Sequence, residues 1–153
     1  MTLDQMRRLA LEGAQQFGVR HTALRILQAA GVQGHDTLAE LQAFYLFVRD
    51  RITFRGDIAG VETLQSPRAT LEFRAGDCDD KAILLVALAR AVGINATLAF
   101  RVAALNPVRP GSFSHVYVVA KVAGRDIPLD PTYGNTPMGW EPRHRFRMSE
   151  VPA

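Results

Sequence analysis

The stretch from Arg74 to Gly93, RAGDCDDKAILLVALARAVG, constrains the fold more than any other part of the sequence. Its segment from Ala82 to Ala89 contains no polar residue, and a helix that is apolar on most faces is buried. Arg90 suits the last helical turn, where a cation meets the negative end of the helix dipole, and Gly93 suits the position after the helix. The stretch therefore predicts a central core helix.

The single cysteine, Cys78, lies at the start of this helix, directly after the turn signal Gly76-Asp77. The free amides of a helix N-terminus favour a thiolate, and they can hold the oxyanion that forms when sulfur attacks a carbonyl. The alternative is a structural cysteine, because free cysteine is among the most buried residue types. By itself, Cys78 favours the structural alternative, and only the residues downstream reverse this preference.

Composition restricts the class of protein. A chain of 153 residues with 48% apolar and 22% charged residues is typical of one soluble globular domain, and it is long enough to bury a core. One cysteine excludes an internal disulfide framework and a cysteine-based zinc cluster, so nothing points to an oxidising compartment. We expect a cytoplasmic protein, with no signal peptide in the first 18 residues.

Charge and hydropathy argue against two further classes of partner. The longest apolar run, Ala82 to Ala89, is far shorter than the ~20 residues that cross a bilayer, so no membrane partner is expected. The net charge is +3, and its basic residues are dispersed apart from Arg143, Arg145 and Arg147. This distribution favours a solvated surface over a nucleic-acid interface.

Helical patterns fill the N-terminal part of the chain, and strand patterns follow the central helix. Helices are predicted from the capping box at Thr2 to about Gln16, from Arg20 to Ala30, from the capping box at Asp36 onward, and from Ser66-Pro67 to about Phe73. Strands are predicted at Ile94–Ala104, Ser114–Val122 and Asp126–Asp130, with a turn at Gly124, an edge or bulge at Pro128, and a further short strand near Phe146. Arg51–Arg55 is predicted to be extended and Gly56–Gly60 to be a loop.

The order of helices first, then the central helix, then strands indicates an α+β fold. We expect one domain of residues 1–153, with a helical part (1–55), a core (62–133) and an irregular C-terminal part (134–153).

The predicted hairpin brings two chemical groups together. His115 begins one strand and Asp130 ends the other, so the two lie at similar distances from the turn and within the range of a cross-strand pair. An aspartate on one ring nitrogen fixes the tautomer and leaves the other nitrogen for a thiol. If the sheet packs on the start of the Cys78 helix, the three residues form a Cys-His-Asp triad. Taken separately, His115 could be an ordinary strand histidine, and Asp130 could be a turn residue before Pro131.

Three blocks in this order resemble the core of the transglutaminase-like superfamily: GDCDD leading into the apolar helix, SHVYV at 114–118, and LDP at 129–131. The resemblance covers about residues 62–133 and is greatest to small bacterial and phage-borne cysteine peptidases of that superfamily. It implies a papain-like α+β core, with the central helix against an antiparallel sheet. It also implies acyl transfer with Cys78 as nucleophile, His115 as base and Asp130 as its orienting partner. No calcium-site pattern is present, and no cofactor or metal is expected.

The expected activity is cysteine-dependent amide chemistry on a protein or peptide, through a thioester that water hydrolyses or an amine captures. Short length favours hydrolysis, although the sequence decides neither this nor the oligomeric state. Gln65 is a candidate oxyanion donor beside the amide of Cys78, and its alternative is a polar loop residue. Tyr117 and Trp140 are candidates for the cleft wall, with simple packing as the alternative. The rival function is a non-catalytic interaction domain of a larger assembly, which would need no such triad.

The acidic residues around Cys78 complicate this chemistry. Like charges raise a thiol pKa, so the helix amides and an imidazolium at His115 must outweigh them if a thiolate is to form. Asp77 is a natural N-cap. We therefore expect Asp77 and Asp79 to point away from the sulfur and to bind backbone amides.

Overall fold

The computed structural model describes residues 3–56, 64–143 and 145–153. It contains five described helices, α1 (Leu3–Ala14), α2 (Phe17–Ala29), α3 (Thr37–Arg51), α4 (Pro67–Phe73) and α5 (Cys78–Ala91). The described strands are β1 (Thr53–Phe54), β2 (Ala75–Gly76), β3 (Thr97–Ala104), β4 (His115–Val122), β5 (Arg125–Leu129) and β6 (Arg147–Pro152). The α+β class is confirmed.

Helix α5 is the centre of the molecule, as its composition predicts. Every side chain from Ala82 to Ala89 is at most 1% exposed. Helices α1, α2 and α3 pack around α5, and strand β4 packs against it from the sheet side. The helix ends where the sequence indicates, because Gly93 adopts a left-handed backbone conformation with φ +64° just beyond it.

Capping residues explain most of the helix boundaries. The side chain of Asp36 accepts the amide of Ala39 at the start of α3, and the side chain of Ser66 accepts the amide of Ala69 at the start of α4. Helix α2 begins at Phe17, earlier than predicted, without a side-chain cap. The predicted cap at Thr2 and most of the predicted loop Gly56–Gly60 lie outside the described residues.

The sheet is antiparallel in the order β5-β4-β3-β6, and a separate parallel pair joins β1 to β2. Strand β5 is an edge strand, which accounts for Pro128 within it. Strand β6 lies directly after Phe146, pairs with β3 and forms the opposite edge. The side chains of β4 alternate between two faces, because Val116, Val118 and Ala120 join the main core while Tyr117 and Val119 join a second small cluster.

A two-residue turn connects β4 to β5. Val122 pairs with Arg125, and between them Ala123 and Gly124 have φ values of +49° and +78°. Positive φ at both central positions is typical of the tight hairpin turn that matches the twist of the flanking strands. This turn sets the register that carries residues of β4 and β5 to the start of α5.

Two helical glycines test the packing of the N-terminal helices, because substitution by alanine is expected to change the free energy of unfolding in opposite directions at the two positions. An added Cβ at Gly13 would lie 2.4 Å from Cγ of Pro67, whereas one at Gly18 would meet no atom within 4 Å. We expect Gly13→Ala to destabilise the protein by about 1–2 kcal/mol, because overpacking exceeds the gain in helix propensity. We expect Gly18→Ala to stabilise it by up to ~1 kcal/mol. Urea unfolding measures both, and stabilisation by Gly13→Ala would contradict the packing of α1 on α4.

Candidate active site

A capping box fixes the start of α5 at Cys78. The side chain of Asp77 accepts the amide of Asp80, and the side chain of Asp80 accepts the amide of Asp77 in return. The backbone before the helix passes so close to Asp80 that a Cβ at position 76 would lie 2.7 Å from its Cβ. Glycine at position 76 is therefore required for this turn, and the turn places Cys78 in the first turn of the helix.

The sulfur of Cys78 lies between its own helix and strand β4. The backbone amide of Val116, the residue after His115, is close enough to the sulfur to lower the pKa of the thiol. On the other side, the thiol donates to Oδ1 of Asp79, with Sγ and Oδ1 3.8 Å apart. The expectation that Asp79 points away from the sulfur is therefore wrong, whereas Asp77 acts as the N-cap as predicted.

Burial and negative charge raise the pKa of Cys78 to about 12. Loss of solvation is the largest cause, followed by the carboxylate of Asp79, and Asp77 and Asp130 act in the same direction. The amide of Val116 opposes them by favouring the thiolate. The helix amides therefore do not outweigh the burial and the acidic residues, and the raised pKa keeps Cys78 a thiol at neutral pH.

His115 and Asp130 form a buried pair. Nε2 of His115 lies 2.7 Å from Oδ2 of Asp130, and the two side chains are 6% and 0% exposed. Because an ionised carboxylate only accepts hydrogen bonds, the ring proton belongs on Nε2, and Nδ1 is left as the basic nitrogen. The other oxygen, Oδ1, accepts the amide of Thr132 at 3.2 Å. Asp130 is therefore both the turn residue before Pro131 and the partner of His115.

The sheet register explains how this pair meets. Val118 pairs with Leu129, so continuing the ladder by one residue puts Asp130 opposite Tyr117. His115 is two residues further along β4, on the same face of the sheet. Diagonal neighbours of this kind are within reach of an aromatic side chain. The predicted pairing across the hairpin is thus offset by two residues, and the side chains close the gap.

The backbone at Asp130 is held from behind by helix α3. The buried hydroxyl of Tyr45 donates toward the carbonyls of Asp130 and Thr136, at 3.1 and 2.8 Å. This contact fixes the segment that carries the carboxylate, and nothing in the sequence pattern of α3 singled out Tyr45 for that position.

Aromatic rings surround His115. The ring of Tyr117 stacks at 5.7 Å between centroids, and the ring of Tyr133 lies at 6.1 Å. Trp140 meets Tyr133 edge-on at 5.5 Å, so it belongs to the same wall. Tyr117 is fully buried and Tyr133 is 42% exposed. Sequence reasoning proposed Tyr117 and Trp140 for the cleft and missed Tyr133, whose signal was its place two residues after Pro131.

Gln65 lies beside the turn that precedes Cys78. Its Nε2 donates to the carbonyl of Ala75 at 2.9 Å and lies 3.3 Å from Oδ2 of Asp80. Its backbone amide donates to Oδ1 of Asp80 at 2.8 Å. These contacts hold the turn, and the role of Gln65 as an oxyanion donor stays a prediction.

Within the described ranges, no group of three or more His, Cys, Asp or Glu side chains is arranged to hold a metal ion. Across those same ranges, no helix has the length and apolar character needed to span a bilayer.

A family model described as the transglutaminase-like superfamily matches residues 26–131, which is more than half of the chain. The match includes Cys78, His115 and Asp130. No curated protein matches the sequence significantly.

Two solved structures share the fold. One is described as a "putative cysteine protease" from Cytophaga hutchinsonii, with a TM-score of 0.57 and 16% identity over 86% of this chain. The other is described as a "putative protease" from Parabacteroides distasonis, with a TM-score of 0.61 and 14% identity over 87% of this chain. The matches span 42% and 26% of those two proteins, and identities this low establish the fold alone.

The charge of Asp79 can be tested without a substrate. We expect Asp79→Asn to lower the pKa of Cys78, because it removes the largest electrostatic cause of the rise, and each unit gives about tenfold more thiolate near neutral pH. Alkylation by iodoacetamide at pH 7 to 9 should therefore be faster than in the wild type. The matched control is Asp126→Asn, which changes an exposed aspartate paired with Lys121. Equal alkylation rates in all three proteins would contradict the placement of Asp79 beside the sulfur.

Proposed function

Because the chain belongs to the transglutaminase-like superfamily, we propose that it is a cysteine peptidase or amidase acting on amide bonds of a protein or peptide. Cys78 is the nucleophile, His115 the general base and Asp130 the residue that orients the ring. One observation supports this most strongly: His115 and Asp130 form a buried pair at 2.7 Å, and both the Asp130 carboxylate and the amide of Val116, the residue after His115, act on the pKa of Cys78.

The raised pKa of Cys78 determines how the first step proceeds. At neutral pH the thiol keeps its proton, so the sulfur becomes nucleophilic only as His115 removes that proton through Nδ1. The sulfur then attacks the carbonyl carbon, and the carbonyl π electrons move to the oxygen. Asp130 stabilises the imidazolium that forms, because its carboxylate is already 2.7 Å from Nε2.

The oxyanion needs donors at the start of α5. The capping box engages the amides of Asp77 and Asp80, and the amide of Cys78, in the first turn of α5, is a candidate donor to the oxyanion. Gln65 is a second candidate, provided that its Nε2 exchanges the Ala75 carbonyl for the substrate. The positive end of the α5 dipole adds to either donor.

Collapse of this intermediate completes acyl transfer. The imidazolium gives its proton to the leaving nitrogen, ammonia or an amine departs, and the acyl group stays on Cys78 as a thioester. Water attacks the thioester in hydrolysis, whereas a second amine attacks it in transamidation. The names of the two structural neighbours support hydrolysis as the reaction to test first.

Substitution of the nucleophile is the first test. We expect Cys78→Ala to abolish turnover of peptide amides, since removing the nucleophile of such an enzyme costs on the order of 10⁶-fold in rate. The fold should survive, because alanine suits the first turn of a helix. Ammonia and amine release from a panel of peptide amides reports activity, and circular dichroism reports folding. Turnover that persists in purified Cys78→Ala would end the thiol hypothesis.

Asp130 separates a triad from a dyad. Asp130→Asn keeps an acceptor for the ring but removes the charge, so we expect partial loss of rate and an acid limb of the pH–rate profile at lower pH. Asp130→Ala should be slower still, because nothing then orients His115. Rates measured from pH 5 to 9 in the three proteins decide the question. If Asp130→Ala matches the wild type throughout, Asp130 is only a turn residue.

A further inference from the structure

Lys81 is a fully buried cation next to the candidate active site. It lies one turn after Cys78 in α5, its side chain is 1% exposed, and its Nζ donates to the carbonyl of Pro131 at 3.3 Å. Pro131 directly follows Asp130, whose carboxylate is also completely buried. The mechanism above gives this ammonium no role.

Packing alone does not explain why a lysine, rather than an apolar residue, lies at this buried position. Taking an ammonium out of water costs several kcal/mol, and an apolar residue of similar volume is often as stable or more stable at such a position. Lys81 is also one of only two lysines in the chain, beside sixteen arginines. The other lysine, Lys121, is 37% exposed and forms ordinary surface ion pairs with Asp126 and Glu150.

The charges of two carboxylates act on Lys81. Asp130 lies in the segment after β5, and Asp50 lies at the end of α3. Burial lowers the pKa of Lys81, and the charges of Asp130 and Asp50 oppose that change. Asp50 is itself paired with Arg49 at 2.7 Å, so part of its charge is already balanced by that guanidinium.

We propose that Lys81 is a positioning residue: its ammonium, held at the Pro131 carbonyl, offsets part of the field that the Asp130 carboxylate exerts on the His115 ring. This inference rests on the proposed function, in which His115 must accept a proton from a thiol. An opposite charge stabilises an imidazolium, so the Asp130 carboxylate by itself favours the protonated ring. A cation behind that carboxylate offsets part of its field. The other groups near the pair are Tyr45, Tyr117, Tyr133 and Cys78. Behind them lie the charges of Asp77 and Asp79 at the sulfur and of Glu141 and Arg145 at the Tyr117 hydroxyl, all of which the Lys81 variants leave in place.

The sign of this effect distinguishes it from a structural role. Removing the Lys81 charge lets Asp130 favour the imidazolium, so His115 holds its proton to higher pH. The acid limb of the rate profile therefore moves to higher pH, on the order of half a pH unit. Asp130→Asn moves the same limb in the opposite direction. A variant that merely loosens the packing lowers the rate without moving the limb.

Three proteins test the proposal, in rate profiles and in NMR titrations of the His115 ring. Lys81→Met removes the charge and keeps the length, and Lys81→Gln removes the charge but keeps a donor for the Pro131 carbonyl. Lys121→Met is the matched control, because it removes the same charge from the same strand as His115 but six residues away. That separation is about 20 Å, well beyond the screening length of ~8 Å.

We expect both Lys81 variants to move the titration midpoint of His115 upward and Lys121→Met to leave it unchanged. An unmoved midpoint in a folded Lys81 variant overturns the proposal. The NMR titration needs no substrate, so the proposal on Lys81 is tested even if the wild type cleaves no amide, a result that would count against the proposed function instead.

The wild-type protein provides a check that does not depend on the folding of any variant. With only two lysines, the Cε signals of Lys81 and Lys121 can be resolved in a pH titration. The proposal requires Lys81 to be an ammonium at neutral pH, although it should lose its proton at lower pH than Lys121. A neutral amine at Lys81 at pH 7 would overturn it.

Discussion

The buried contact between the ring of His115 and the carboxylate of Asp130 is the interaction on which the rest of the site depends. At 2.7 Å and without solvent, it sets which ring nitrogen carries the proton and which remains basic. The tight turn at Ala123-Gly124 sets the register of the two strands, and Tyr45 fixes the backbone of Asp130. The hairpin and α3 thus hold the imidazole of His115 against Asp130, and the capping box of Asp77 and Asp80 places the thiol of Cys78 at the start of α5.

The environment of the sulfur determines whether Cys78 can react without help from a base. Burial and the carboxylate of Asp79 keep Cys78 protonated, whereas the amide of Val116 and the start of the helix favour the anion. Because burial and Asp79 dominate, the thiol is unreactive until a base removes its proton. The raised pKa of the thiol then makes the resulting thiolate a strong nucleophile.

Local signals in the sequence were sufficient for much of this arrangement. The apolar run of α5, the caps at Asp36, Ser66 and Asp77, and the alternation of β4 each depend on short-range geometry, so they could be predicted. The meeting of His115 and Asp130 followed from the length of one hairpin. The direction of the Asp79 side chain, the ring of Tyr133 and the burial of Lys81 could not be predicted, because each depends on how distant segments pack. The early start of α2 at Phe17 had no capping signal.

The tautomer of His115 is the most direct test of the account, because a neutral ring with its proton on Nε2 is what the mechanism requires. A nitrogen-15 NMR spectrum of the imidazole at neutral pH distinguishes the three forms of the ring, with His115 identified by its absence from a His115→Asn variant. We expect one protonated nitrogen, Nε2, facing Asp130, and an unprotonated Nδ1 available to the thiol. A ring protonated on Nδ1, or on both nitrogens beside a thiolate, would contradict the account.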